Sequence, residues 1–133
     1  MENILIIEDL ADQLYKLHYQ ASQILGDQVN IAPRVFSSSQ FRTGTEVIQD
    51  ALSRLSGDKI GLILMDYDLG MQAPLDGGIF TKILHKVYPQ IPIIAISGRS
   101  NKNASMIQAG AVTSMHKNTG KWIALLELIR DKR

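Results

Sequence analysis

Residues 60–66 read IGLILMD, an unbroken apolar run that ends on an aspartate. A short run that is apolar at every position predicts a β-strand buried on both faces, as in the centre of a parallel sheet covered by helices. A carboxylate at the end of such a strand is costly to bury without a cation or hydrogen-bond donors nearby. Asp66 is therefore the first candidate for a functional residue.

Three further apolar runs end on polar residues in the same way. Residues 4–7 run into Glu8 and Asp9, residues 93–96 into Ser97, and residues 111–116 into Lys117. If these runs are strands of one parallel sheet, their carboxyl ends share one edge, where open α/β folds bind ligands. An acid pair, a lone carboxylate, a hydroxyl and an amine are then expected to meet there.

The apolar runs alternate with stretches of helical period, which predicts five βα units. Pro33 places the second strand at a sheet edge. In the third helix the apolar residues are Ile79, Ile83, Leu84 and Val87. The strands are predicted at about residues 3–8, 29–36, 60–65, 91–96 and 111–116, and the helices at about 10–24, 47–57, 79–87, 101–109 and 122–129.

Size and composition predict one domain over residues 1–133. The absence of cysteine excludes disulfides and thiolate chemistry and fits a reducing compartment, so a cytoplasmic location is expected. The N-terminus shows no leader or long apolar stretch, so neither secretion nor a membrane is expected. A net charge of +1 provides no broad field that would attract nucleic acid.

The acidic residues favour a divalent cation. Glu8, Asp9 and Asp66 would repel one another at one sheet edge without it, and Mg²⁺ prefers such hard oxygen ligands. In the alternative interpretation, Asp9 caps the first helix and Glu8 faces water. Ser97 could donate to a phosphoryl oxygen or only form a turn. Lys117 could stabilise a transferred phosphoryl group or lie at the surface.

In this order and on these elements, the polar residues resemble those of the receiver domains of two-component response regulators. The resemblance covers essentially the whole chain and implies a flavodoxin-like (βα)5 three-layer sandwich, with the parallel sheet in the order 2-1-3-4-5. The matching positions are the acid pair Glu8 and Asp9, the phospho-accepting Asp66, Ser97, Lys117, Asp76-Gly77 before the third helix and Gly110-Ala111 before the fifth strand.

The resemblance implies that Asp66 accepts a phosphoryl group from a sensor histidine kinase or a histidine phosphotransfer protein. Ser97 and Lys117 would bind the phosphoryl oxygens. The expected product is a switch in protein–protein contacts, so an enzyme is not expected. The downstream partner stays unknown, and a homodimer through the last two helices is left open. The implied ligands of Mg²⁺ are Asp9, Asp66 and the backbone carbonyl of Asp68, with Glu8 reaching it through water.

Two alternatives stay open. Ser114 and Asn118 replace an aromatic residue and a proline that are usual in receiver domains, which is compatible with a degenerate receiver that binds partners without phosphorylation. Asp66-Tyr67-Asp68 also looks like the first motif of haloacid-dehalogenase-type phosphatases. That family needs acids after the lysine, whereas this acid pair precedes it, and the chain has no room for a cap domain.

Overall fold

The computed structural model describes residues 3–8, 11–25, 44–57, 60–67, 77–97, 103–116 and 127. The predicted strand at 29–36 lies outside these residues, as does the predicted last helix apart from the helical Glu127. The described strands are β1 (Asn3–Ile7), β2 (Ile60–Met65), β3 (Ile93–Ser97) and β4 (Thr113–His116). The described helices are α1 (Ala11–Leu25), α2 (Gly44–Gly57), α3 (Gly77–Val87) and α4 (Asn103–Ala109).

The four described strands form one parallel sheet in the order β1-β2-β3-β4. Ile7 pairs with Met65, Met65 with Ala95, and Ala95 with Ser114. These strands correspond to the first, third, fourth and fifth predicted strands, whose relative order agrees with the predicted one. All four carboxyl ends therefore lie along the same edge.

Helices cover both faces of this sheet. On one face, alternate strand residues such as Leu5, Ile63 and Ile93 pack with residues of α2, α3 and α4. On the other face, the intervening strand residues pack with Leu17 and Ala21 of α1. Burial on both faces is the reason why these strands are continuously apolar in sequence. The predicted three-layer arrangement is confirmed for the described part of the chain.

Helix α3 does not bury all of its large apolar residues. Ile79 and Val87 are 46% and 52% exposed, whereas the buried residues are Gly77, Phe80, Thr81 and Leu84. These four are spaced three, one and three residues apart, so they share one side of a helix. Ile79 and Val87 therefore lie outside the buried face, because Gly77 has to be on the side that faces the sheet.

Two strands begin later than predicted, because the preceding turns continue further. The Ile91 amide donates to the Tyr88 carbonyl at 3.1 Å, so the buried residue 91 belongs to a turn before β3. The Ala111 amide donates to the Met106 carbonyl at 3.1 Å and closes the end of α4. Gly110 directly precedes Ala111 and has a φ of 122°, a left-handed conformation that favours glycine at helix ends.

Candidate functional site

Two buried carboxylate residues follow neighbouring strands at the carboxyl edge of the sheet. Ile7 and Met65 are paired, and the Asp66 amide donates to the Ile7 carbonyl at 3.0 Å, so the ladder continues past the last strand residue. Glu8 and Asp66 are the next residues on each side. Since paired strands lie about 4.8 Å apart, their backbones are close neighbours.

Both residues are almost inaccessible to solvent. Glu8 is 1% exposed and Asp66 is 3% exposed, and each takes part in hydrogen-bonding or electrostatic interactions. Carboxylates at such positions require compensation of their charge. The alternative in which Glu8 faces water is therefore wrong. Asp66 is also not a solvent-exposed loop aspartate, so two buried acidic residues lie side by side at this sheet edge.

The start of α3 lies directly against the backbone at Asp66. The Gly77 amide donates to the Tyr67 carbonyl at 2.8 Å. A Cβ atom on Gly77 would approach the Tyr67 Cα to 2.7 Å and the Asp66 carbonyl carbon to 2.9 Å, and would overlap the Asp66 carbonyl oxygen. Only glycine fits this approach, which explains why a glycine is found at the start of this helix.

The other predicted site residues are placed only in part. Ser97 is the last residue of β3 and pairs with His116, the last residue of β4, so its backbone is at the same sheet edge. Its side chain is not among the described ones. Asp9, Asp68 and Lys117 lie outside the described residues. Their roles therefore stay predictions.

The described residues of the site have the type of side chain that binds a hard divalent cation. Glu8 and Asp66 offer carboxylate oxygens from adjacent, buried chain segments, and oxygen ligands are those that Mg²⁺ prefers. No group of three or more acidic or histidine side chains comes together within the described ranges, which do not include Asp9. Glu8 and Asp66 are thus of the chemical type that a Mg²⁺ site needs, and the binding of Mg²⁺ stays a prediction.

Sequence reasoning did not predict Thr81 as a buried polar residue. Its side chain is fully buried on α3, and its hydroxyl has no hydrogen-bond partner within the part of the chain that the structure describes. The sequence did contain a signal for this burial. Thr81 lies three residues before the apolar Leu84, so the two side chains lie on the same side of a helix. No role at the site follows from its position.

Within the described ranges, no helix has the length and apolar character needed to cross a bilayer. This result agrees with the helix lengths, since the longest described helix has 15 residues.

Several solved structures that share this architecture are receiver domains. The CheY-like response regulator receiver domain protein from Methanospirillum hungatei JF-1 aligns over 99% of this chain and 93% of its own, with 23% identity and a TM-score of 0.66. The signal receiver domain of a DNA-binding response regulator from Colwellia psychrerythraea 34H aligns over 98% and 99%, with 18% identity and a TM-score of 0.73. This chain has the receiver-domain fold. The predicted flavodoxin-like α/β class and the resemblance to receiver domains are thereby confirmed at the level of fold.

A third similar structure extends the likeness to eukaryotes. It is the receiver domain of the histidine kinase CKI1 from Arabidopsis thaliana, complexed with Mg²⁺ and BeF₃⁻, which aligns over 98% of this chain and 90% of its own, with 21% identity and a TM-score of 0.64. No protein-family model matches the sequence, and no curated protein matches it. The receiver fold is thus recognised from the structure, at sequence identities of 18–23%.

Proposed function

We propose that this chain is a phospho-accepting receiver domain of a two-component or phosphorelay system, with Asp66 as the phosphorylated residue. The observation that carries the proposal is the pair of buried carboxylate residues, Glu8 and Asp66, on adjacent strand ends of a receiver fold. A merely structural site has no need for two acidic residues side by side in a buried place, since their charges repel. A phosphoryl-transfer site that uses a divalent cation needs such acids.

The proposed reaction transfers a phosphoryl group from a histidine nitrogen of the donor to a carboxylate oxygen of Asp66. A carboxylate oxygen of Asp66 attacks the phosphorus of a phosphohistidine, the new O–P bond forms as the N–P bond breaks, and the imidazole leaves with the electron pair and takes up a proton. The product is an acyl phosphate. Mg²⁺, when bound, neutralises charge on the phosphoryl oxygens.

The remaining roles are assigned by resemblance and belong to the same proposal. Asp9, Asp66 and the Asp68 carbonyl would hold Mg²⁺, with Glu8 reaching it through water. The Ser97 hydroxyl would donate to one phosphoryl oxygen, and the Lys117 ammonium would bind another. The donor would be a histidine kinase or phosphotransfer protein, and the output a switch in protein contacts rather than catalytic turnover. A cytoplasmic location is part of the proposal.

The test is labelling of the purified chain with acetyl phosphate and Mg²⁺, followed by intact mass spectrometry. The wild-type chain should gain one phosphoryl group, which hydroxylamine should remove because it cleaves acyl phosphates. Asp66→Asn should abolish the gain. Asp50→Asn, a matched change on α2, should leave it intact. Labelling that survives in Asp66→Asn, or that needs no divalent cation, would contradict the proposal.

The degenerate-receiver alternative is a second candidate because of Ser114. Its side chain is half-buried on β4, in register with Ala95, and it is much smaller than the aromatic residue usual in receiver domains. A serine cannot report phosphorylation by moving a large ring between two positions. Comparison of the oligomeric state and partner binding of the labelled and unlabelled chain distinguishes the two candidates, because a degenerate receiver shows no difference. Hydrolysis of small phosphoesters would instead support the phosphatase alternative.

A further inference from the structure

A groove of about 330 Å³ lies between α3 and α4 and opens beside the residue that follows Asp66. Tyr67 lines the groove where β2 ends, Ile79 and Lys82 line it on α3, and Gln108 and Ala109 line it on α4. The predicted phosphorylation chemistry uses none of these side chains. The groove is therefore a separate feature of the described structure.

The lining combines an apolar surface with positive charge. Ile79 is 46% exposed, and Lys82 and Gln108 are exposed as well. Lys82 and Lys86 lie on α3, and neither α3 nor α4 has an acidic residue. No described residue that lines the groove is acidic. A ligand with an apolar side chain close to a carboxylate would complement this lining.

From this complementarity we propose that the α3–α4 groove docks an acidic amphipathic segment of a partner protein. An apolar side chain would pack against Ile79 and Tyr67, and a carboxylate would pair with Lys82. On α4 the lining runs from Ser105 to Ala109, about 6 Å along the helix axis, which corresponds to about one turn of a bound helix.

The shape and charge of the groove favour a protein segment over other ligands. Small-molecule sites enclose most of the ligand surface, whereas the exposed residues on both walls leave this groove open to solvent. Nucleic acid binding depends on many cations, and Lys82 is the only described cation that lines the groove. One apolar wall and one ammonium group suit a few side chains of an acidic helix.

The first experiment selects ligands from a displayed library of short random peptides with the wild-type chain. The enriched peptides should carry acidic residues next to leucine or an aromatic residue. Enrichment of neutral or basic peptides, or no enrichment, would overturn the proposal. The best peptide is then synthesised, and its affinity for the wild-type chain is measured by fluorescence anisotropy.

Two charge-reversal variants test the position of the bound peptide. Lys82→Glu should weaken binding about tenfold, because an ion pair becomes a repulsion. Lys86→Glu makes the same change in net charge one turn further along α3, outside the groove lining, and should weaken binding by no more than about twofold. Ala109→Leu fills the groove without changing its charge and should also weaken binding. Equal losses in the two lysine variants would refute the docking site, because they would indicate only a general charge effect.

A link between the groove and Asp66 rests on the proposed function. Tyr67 lines the groove and directly follows Asp66, so phosphorylation is expected to change the affinity for the selected peptide about fivefold or more. An unchanged affinity of the labelled chain would overturn this link. If Asp66 accepts no phosphoryl group at all, the proposed function fails, whereas the docking site is still decided by the Lys82 and Lys86 variants.

Discussion

Replacement of Gly77 by alanine tests the claim that the start of α3 is fitted to the backbone at Asp66. The new Cβ would lie 2.7 Å from the Tyr67 Cα and 2.9 Å from the Asp66 carbonyl carbon, and it would overlap the Asp66 carbonyl oxygen. Ordinary contacts of this kind are about 3.5–4.0 Å. The obstructing atoms are backbone atoms at the end of a central strand, so no side-chain rotation relieves the overlap.

The expected loss of stability follows from two opposing effects. Overpacking costs about 1–3 kcal/mol, and the backbone obstruction places Gly77→Ala near the upper end of that range. The gain in helix propensity from glycine to alanine is about 1 kcal/mol at most. A net loss of about 2 kcal/mol in the free energy of unfolding is expected. The position of Asp66 should shift as well, so labelling by acetyl phosphate should become slower.

The assay is urea denaturation followed by circular dichroism, with Gly57→Ala as the matched control. Gly57 is the last residue of α2, and a Cβ there would meet no atom within 4 Å. Its replacement should leave stability unchanged or raise it by up to about 1 kcal/mol. If the two variants unfold within about 0.5 kcal/mol of each other, the close approach at Gly77 has no energetic consequence and the reasoning is refuted.

Three further predictions concern the same framework. Gly110→Ala should lower the free energy of unfolding by about 2 kcal/mol, because φ at this residue is 122° and the new Cβ would lie 2.7 Å from the His85 ring. In a double-mutant cycle, adding His85→Ala should restore only the part of this loss that comes from the clash with the ring. Thr81→Val should raise the free energy of unfolding by about 1 kcal/mol, because it removes a buried hydroxyl that has no hydrogen-bond partner in the described part of the chain. The control Thr81→Ser keeps the hydroxyl and should not stabilise the protein, and a loss of stability in Thr81→Val would contradict this account. Millimolar Mg²⁺ should raise the thermal unfolding midpoint of the wild-type chain by mass action; Glu8→Gln should reduce this shift, whereas Glu127→Gln, a change at an exposed residue, should not. Equal shifts in all three proteins would show that Glu8 does not contribute to Mg²⁺ binding.

The strands of the fold were predictable because their main signal is an unbroken apolar run. Strands that are covered on both faces are apolar at every position, so β2 was visible from residues 60–65 alone, and residues 4–7 of β1 follow the same rule. The boundaries of β3 and β4 were less predictable. Residues 91 and 111 are as apolar as strand residues, but their amides donate hydrogen bonds to the carbonyls of Tyr88 and Met106, which hold them in turns. These backbone hydrogen bonds cannot be predicted from the residue types.

The buried face of α3 could not be read from hydrophobicity alone. Ile79 and Val87 are more apolar than Gly77 and Thr81, yet the latter pair faces the sheet. The determining constraint is steric, since the helix has to begin against the strand backbone, where a side chain has no room. At the site, the burial of Glu8 was left open between two interpretations, because strand pairing at Ile7 decides it and pairing is a property of the folded sheet.

Helix α3 connects the carboxyl edge of the sheet with the proposed docking groove. Its first residue is hydrogen-bonded to Tyr67, its core residues Phe80 and Leu84 are fully buried, and His85 packs against Gly110 after α4. A fully buried helix face cannot slide without opening the core, so movement at the end of β2 is expected to rotate or shift α3 as a unit. The groove wall on α3 would move with it relative to α4. A change in charge at Asp66 therefore has a direct mechanical route to this groove, one that does not require a large aromatic side chain at the position of Ser114.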